Sequence, residues 1–202
     1  MMNQNKTPLR VAFYTLGCKV NQCDTASMMA AFAAAGHEIV DFCDMADCYV
    51  VNSCTVTGES DRKCRQMAAR AHRQNPQAIL CITGCLAQRD GEAALAMPGV
   101  RLALGNRDRG RIVEMVEDLA VGATDRRNAV LPWSPSENFE DLPAQREGKT
   151  RATLKIQEGC NRYCSFCIIP YARGPLRSRK LESILSEGRA LVAAGYKELV
   201  LT

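Results

Sequence analysis

Five short apolar runs separated by helix-like stretches occupy the first 120 residues, at 11–16, 38–42, 49–52, 78–83 and 100–104. Strands that alternate with helices in this way read as a parallel sheet covered on both faces. The helical patterns fall at 25–35, closed by Gly36, at the basic stretch 60–73, ended by Asn75-Pro76, and at the amphipathic stretch 109–120. The spacing leaves room for one βα unit at a time and for little else.

Right-handed crossovers make a flavodoxin-like α/β sheet the economical topology, with strand order 2-1-3-4-5. Residues 1–124 are expected to form this domain. Residues 125–149 read as a linker, with Pro132, Pro135, Pro143, scattered acids and the only tryptophan, Trp133. A second domain is expected to open at 150–202, with strands at 151–157 and 198–202 around a helix at 181–194. Two strands cannot bury both faces of a sheet, so this portion is expected to be the truncated start of a barrel.

The chain has 202 residues, eleven of them cysteine, and a net charge of +4. Residues 1–10 have no apolar signal core, and the longest small-apolar run, 28–35, is too short to span a bilayer. An odd, unevenly spaced thiol set fits cytosolic metal ligands better than a disulfide framework. Residues 149–202 hold ten basic and four acidic side chains, a balance that favours a phosphate-bearing partner or an ordinary solubilising surface.

Cys160, Cys164 and Cys167 stand as Cys-x3-Cys-x2-Cys, with neither Cys nor His after them. Three thiolates this close can hold three irons of a 4Fe–4S cluster, leaving the fourth iron to chelate a small molecule. A structural zinc site would want a fourth ligand from far upstream. Cys18, Cys54 and Cys85 each follow an expected strand: the first, third and fourth. Those strands would be neighbours at about 4.8 Å spacing, gathering three thiols at the carboxyl edge where open α/β folds place ligands. Gly17 and Gly84 would let the backbone approach a bulky group. Cys81 reads as core, Cys43 and Cys48 as turn residues and Cys64 as part of the basic helix. Cys23 is the rival ligand near a helix start. His37 and His72 are expected at the surface.

The run from Gly159 to Gly174, with Phe166 before the last Cys and Arg177-Ser178-Arg179 beyond, resembles the radical S-adenosylmethionine methylthiotransferases. Those enzymes also carry three spread cysteines, matched here by Cys18, Cys54 and Cys85. Gly17-Cys18-Lys19-Val20-Asn21-Gln22, with Cys54-Thr55-Val56-Thr57 and Asp61-Arg62-Lys63, looks most like the branch acting on threonylcarbamoyladenosine in tRNA. The isopentenyladenosine-tRNA branch usually shows Gln-Met-Asn after its first cysteine, and the ribosomal-protein aspartate branch Pro-Lys-Asn. Cys23 departs from the family, which often has an aromatic residue there.

The resemblance implies a flavodoxin-like domain followed by the start of an incomplete radical-SAM (β/α) barrel. It implies two 4Fe–4S clusters, on Cys18/Cys54/Cys85 and Cys160/Cys164/Cys167, and S-adenosyl-L-methionine as cofactor. Phe166 would lie beside the adenine, and Arg173 and Arg177 would bind the cofactor carboxylate. The basic residues Arg173, Arg177, Arg179 and Lys180 could instead meet RNA phosphates, as could Arg62, Lys63, Arg65, Arg70 and Arg73. The implied reaction puts a methylthio group on C2 of the modified adenosine at tRNA position 37, an unstacked loop base. Partners would be tRNA and an electron donor such as a flavodoxin or ferredoxin, with no membrane and a cytoplasmic location. A metal-binding RNA module without catalysis is the alternative from a different class.

Overall fold

The computed structural model describes residues 7–55, 58–134, 138–142 and 150–202. Strands β1 (Arg10–Thr15), β2 (Glu38–Val40), β3 (Cys48–Ser53), β4 (Ile79–Gly84), β5 (Val100–Leu104) and β6 (Arg127–Asn128) form one sheet. Its order is β2-β1-β3-β4-β5-β6, and every pairing is parallel. The expected flavodoxin-like arrangement is therefore present, extended by one short strand. β6 lies where the sequence suggested only a linker; two residues pairing with Leu102 and Ala103 are too few to leave a hydropathy signal.

Side-chain alternation across the central strands builds two cores. Tyr49, Val51, Leu80 and Ile82 face α2 (Gly58–Gln74) through Met67, Ala68 and Ala71. Val50, Cys81, Leu102 and Leu104 face α1 (Lys19–Ala34) and α5 (Ile112–Ala120) through Met28, Phe32, Ile112 and Val116. All six residues of β3 and of β4 are buried, as expected for central parallel strands sandwiched between helices. The short helices α3 (Cys85–Arg89) and α4 (Gly91–Leu95) follow β4, with Asp90 accepting the Ala93 N–H between them.

His37 overturns its surface assignment. Its Nδ1 accepts the Leu9 N–H at 3.1 Å, its Nε2 lies 3.4 Å from Glu117, and the ring stacks near Phe32. His72 is half-buried against Gly99.

The second region pairs β7 (Arg151–Leu154) in parallel with β10 (Glu198–Leu201), and α7 (Leu181–Ala193) lies between them in sequence. Ala152, Leu154, Leu191 and Tyr196 form its small core. This is one βαβ unit, of the kind that a (β/α) barrel repeats. β8 (Gln157–Glu158) and β9 (Arg177–Ser178) pair antiparallel and close the loop that carries the second thiol set, with α6 (Ile169–Arg173) inside it. Of the expected linker, residues 135–137 and 143–149 lie outside the described residues, Pro135 and Pro143 among them. The described part is docked. Trp133 Nε1 donates to Tyr171 O at 3.0 Å, and Asp141 pairs with Arg179 at 2.7 Å.

Leu102 is fully buried between the sheet and α5. Leu102→Ala is expected to cost about 2–5 kcal/mol, read as a lower urea midpoint, whereas Val121→Ala at an exposed site should leave that midpoint unchanged. Equal effects would contradict the core assignment.

Candidate metal centre

Three adjacent strands deliver three thiols to one edge. Cys18 is the N-cap of α1, three residues past β1; Cys54 follows β3 directly; Cys85 follows β4 and begins α3. In the sheet β1 pairs with β3, and β3 with β4. The expected gathering of these loops is what the strand order produces. Cys54 and Cys85 are buried and Cys18 is exposed.

Backbone approach at this edge is close. A Cβ on Gly17 would lie 2.6 Å from Cys54 Cβ and 2.8 Å from its Sγ, and φ at Gly17 is +96°. Gly84, at φ +92°, leaves no room between Asn52 and Ser53 for a side chain. Both positions combine a left-handed backbone with missing volume, which only glycine meets. Asn21 ties two loops together: its Nδ2 donates to Leu16 O at 2.7 Å and to Ser53 O at 2.9 Å. Asn52 Nδ2 in turn donates to Asn21 O at 3.0 Å. Ser53 Oγ receives the Leu86 N–H at 3.2 Å, joining the third loop.

Cys85 sits in a distinct polar setting. Burial raises its thiol pKa, while Arg173 and an Asn106 hydrogen bond act to lower it. Asn106 Nδ2 stands 3.5 Å from Cys85 Sγ. By contrast, burial chiefly drives Cys48 and Cys81 well above the usual thiol value and Cys64 to about 12, with Asp47 and Asp61 adding to it at Cys48 and Cys64. Those three are apolar core groups. Cys23, the rival ligand, is buried in α1 with Sγ 3.6 Å from Thr153 O.

The second thiol set lies in the loop between β8 and α6. Cys160 N–H donates to Gly174 O at 3.1 Å, and Cys167 N–H to Cys164 O at 2.9 Å. Gly159, at φ +78°, has no space for a Cβ against Gly174 and Pro175. Tyr163 holds φ +47°, a strained value for a non-glycine residue. Phe166 is 92% exposed, so it is no packing residue here. Among the described residues no three Cys, His, Asp or Glu side chains converge closely enough to hold one metal ion as they stand.

Most of the basic residues beyond this loop are turned inward. Arg173 and Arg177 are 4% and 6% exposed. Arg173 Nη1 lies 2.6 Å from Glu158 and 3.2 Å from Asp24, and Nη2 donates to Asn21 Oδ1. Arg177 Nη2 lies 3.3 Å from Glu158, with its guanidinium 4.4 Å from the Trp133 ring centre. Arg179 pairs with Asp141 and Glu187. Carboxylates carried by other elements draw all three arginines inward. Lys180 alone of the four is exposed.

The same ion cluster reaches into the first region. Asp24, on α1, meets Arg109 at 2.7 Å and Lys155 at 2.7 Å. Glu158 meets Arg109 at 3.1 Å and Lys155 at 3.0 Å. Glu140 adds a third carboxylate at 3.1 Å from Arg109. Four cations (Arg109, Lys155, Arg173 and Arg177) thus face two deeply buried carboxylates and one partly exposed one. Together the thiol donors, the N–H aimed at Cys85 Sγ and the surplus of buried positive charge fit an anionic, sulfur-ligated group at the Cys18/Cys54/Cys85 edge. Asn21, Asp24, Asn106, Arg109 and Glu158 were not singled out from the sequence. The available signal was positional: Asn106 follows β5 at the same sheet edge, and Glu158 directly precedes Gly159-Cys160.

Burial pushes the Asp24 and Glu158 carboxyls up, but Arg109, Lys155 and Arg173 outweigh it, leaving both below their usual values. Depressed carboxyl pKa values stabilise the fold fully above about pH 4 and progressively less as pH falls through the folded-state values. Stability should therefore be level with respect to these groups near neutral pH and drop below about pH 4. Asp24→Asn removes one of the two deeply buried carboxylates that four cations share and is expected to cost about 3–5 kcal/mol, measured by urea unfolding at pH 7. An unchanged midpoint would mean that the cluster holds nothing together.

Comparison with known proteins agrees with this architecture. Residues 10–105 match the family described as Uncharacterized protein family UPF0004. A protein of Bacillus subtilis (strain 168) named threonylcarbamoyladenosine tRNA methylthiotransferase MtaB is 46% identical over 196 residues, covering 95% of this chain and 43% of the relative. One of the same name from Aquifex aeolicus (strain VF5) is 41% identical, covering 96% of this chain and 47% of the relative. Ribosomal protein uS12 methylthiotransferase RimO of Synechococcus sp. (strain WH7803) is 37% identical, covering 95% and 40%. The chain spans under half the length of these curated relatives. Among the described residues no helix is long and apolar enough to cross a membrane. Most of the chain is thus similar to the N-terminal part of proteins named methylthiotransferases, and residues 10–105 match the UPF0004 family.

Proposed function

We propose that this chain forms part of an enzyme that adds a methylthio group to C2 of N6-threonylcarbamoyladenosine at position 37 of tRNA. The observation that carries the reading is the pairing of two thiol triads on one frame. One triad ends β1, β3 and β4, and the other lies in the loop leading to α6, which the buried ion cluster seats against the first region. In this reading Cys18, Cys54 and Cys85 hold one 4Fe–4S cluster and Cys160, Cys164 and Cys167 a second. When bound, the clusters and S-adenosyl-L-methionine supply the electron, the methyl group and the sulfur.

The chain's own residues then have defined tasks. Gly17 and Gly84 give backbone clearance at the first triad, and Gly159 gives it at the second. In this reading Phe166, exposed beside Cys167, covers the adenine of the cofactor. Arg173 and Arg177 act by holding α6 and the loop behind it, with their guanidinium groups already engaged by Glu158. The exposed face of α2, with Arg62, Lys63, Arg65, Arg70 and Arg73, is the proposed tRNA contact. A cytoplasmic location and a small reducing partner such as a flavodoxin or ferredoxin complete the proposal. The substrate choice rests on similarity: the two relatives at 46% and 41% identity carry the threonylcarbamoyladenosine name. A uS12-directed relative at 37% identity supports a ribosomal-protein substrate as the second reading.

Anaerobic reconstitution of the chain with iron and sulfide is expected to give about eight irons per chain, falling by half when either triad is replaced by alanine. Bound zinc without a brown chromophore would remove the enzyme reading. In the full-length protein Cys160→Ala should abolish cleavage of S-adenosyl-L-methionine, whereas Cys54→Ala should spare cleavage and stop thiolation. Identical behaviour of the two variants would contradict separate tasks for the triads. Mass spectrometry of tRNA nucleosides from a strain lacking the gene should show loss of the methylthio form. An unchanged level there would shift the assignment to the ribosomal-protein substrate.

A further inference from the structure

We propose that Asn106 is a positioning residue of the first thiol triad, orienting Cys85 by an N–H···S hydrogen bond whose geometry is set by α6 of the second region. The proposal rests on the reading that Cys18, Cys54 and Cys85 ligate an iron–sulfur cluster.

Asn106 is 2% exposed and lies just beyond β5, next to the edge that carries Cys85. Its Nδ2 donates to Ala172 O at 2.8 Å and stands 3.5 Å from Cys85 Sγ. Its backbone N–H donates to Gln88 Oε1 at 2.8 Å, which fixes where the side chain starts. The orientation of the amide is chemically determined. Ala172 O can only accept, so turning the amide over would set two oxygens against each other. A carboxamide so placed can only donate towards that sulfur, the arrangement a metal-bound thiolate accepts.

The other end of the amide gives independent support. Asn106 Oδ1 is buried without a hydrogen-bond partner among the described residues. An unsatisfied buried acceptor is a cost that folded proteins seldom leave without a reason. Here the two N–H contacts, one to the loop of each triad's neighbourhood, supply the reason. Ala172 belongs to α6, which begins two residues after Cys167. The path from Cys167 through α6 to Asn106 and Cys85 is therefore short and continuous. It runs beside the Arg173–Asn21 contact, which reaches the loops of Cys18 and Cys54. Hydrogen bonds to cluster sulfurs set reduction potential, because they favour the more negative, reduced state.

The test uses the 202-residue chain carrying Cys160→Ala, Cys164→Ala and Cys167→Ala, so that any cluster belongs to the first triad. Asn106→Leu removes the donor at nearly constant volume, and Asn106→Ser is the milder variant should the first fail to fold. Without metal, iodoacetamide labelling followed by mass spectrometry should show Cys85 reacting about fivefold more slowly in the variant, as expected when the attacking thiolate loses one ordinary hydrogen-bond donor. Core Cys81 should be unchanged and serves as the control for folding. After reconstitution with iron and sulfide, the variant should keep its iron but show a more negative midpoint potential by EPR redox titration. Unchanged Cys85 labelling together with an unchanged potential would overturn the proposal. Accelerated labelling of both Cys81 and Cys85 would also overturn it, by showing general loosening. Failure of the unsubstituted-Asn106 protein to bind iron would refute the ligation reading instead, and the labelling result would still decide whether Asn106 restrains Cys85.

Discussion

A buried cluster of ions is the constraint on which the rest of this molecule depends. Taking Asp24 and Glu158 out of water costs several kcal/mol for each charge, recovered only by close and well-aimed partners. Those partners come from scattered stretches of chain: Arg109 from the turn before α5, Lys155 from the end of β7, Arg173 from α6 and Arg177 from β9. Removing the element that carries Asp24 or Glu158 leaves the buried cations short of counter-charge. The cluster thereby does what a few apolar contacts could not: it specifies a single seat for the second thiol loop against the first domain. Its surplus of positive charge also has a physical use, since it lies on the side where three thiols gather at the sheet edge.

Much of the fold was legible because it follows from apolar periodicity. Tyr49-Val50-Val51-Asn52 and the run around Cys81 are continuous because both faces of β3 and β4 are covered. The position of Cys18, Cys54 and Cys85 follows from strand order, and strand order follows from crossover handedness. The start of α1 was not legible, and the reason is instructive. Its first nine residues bury Asn21, Cys23, Asp24, Thr25 and Ser27, a largely polar face turned to the ion cluster and the amide clamp. Hydropathy marks a helix only where its hidden side is apolar, so the expected helix began at residue 25, six residues late. The same blindness left the ion-pair partners of Arg173, Arg177 and Arg179 unseen, because a sequence shows a run of cations without the distant acids that neutralise it. His37 was misplaced likewise, its partners Leu9 and Glu117 being remote in sequence.

The functional site inherits this division of labour. Thiol positions are encoded locally, by strand ends and by glycines that leave room at Gly17, Gly84 and Gly159. Their mutual arrangement is encoded by side chains far apart in sequence, chiefly Asn21, Asn106 and Arg173. Two asparagine amides connect three βα loops and α6 through backbone carbonyls, which ties loop geometry to main chain and leaves side-chain chemistry to the cysteines. That economy explains how a loop edge, normally the most mobile part of an α/β sheet, can hold thiols in a fixed relation to a second thiol loop.

The most direct measurement of this account is hydrogen–deuterium exchange of the 202-residue chain at neutral pH, followed by peptide mass spectrometry. If the ion cluster seats the second region, amides within Ile169–Arg173 and Arg177–Ser178 should be protected and should open together with Lys155 and Glu158. Exchange of those peptides at the rate of an unstructured chain, while β3 and β4 remain protected, would contradict it.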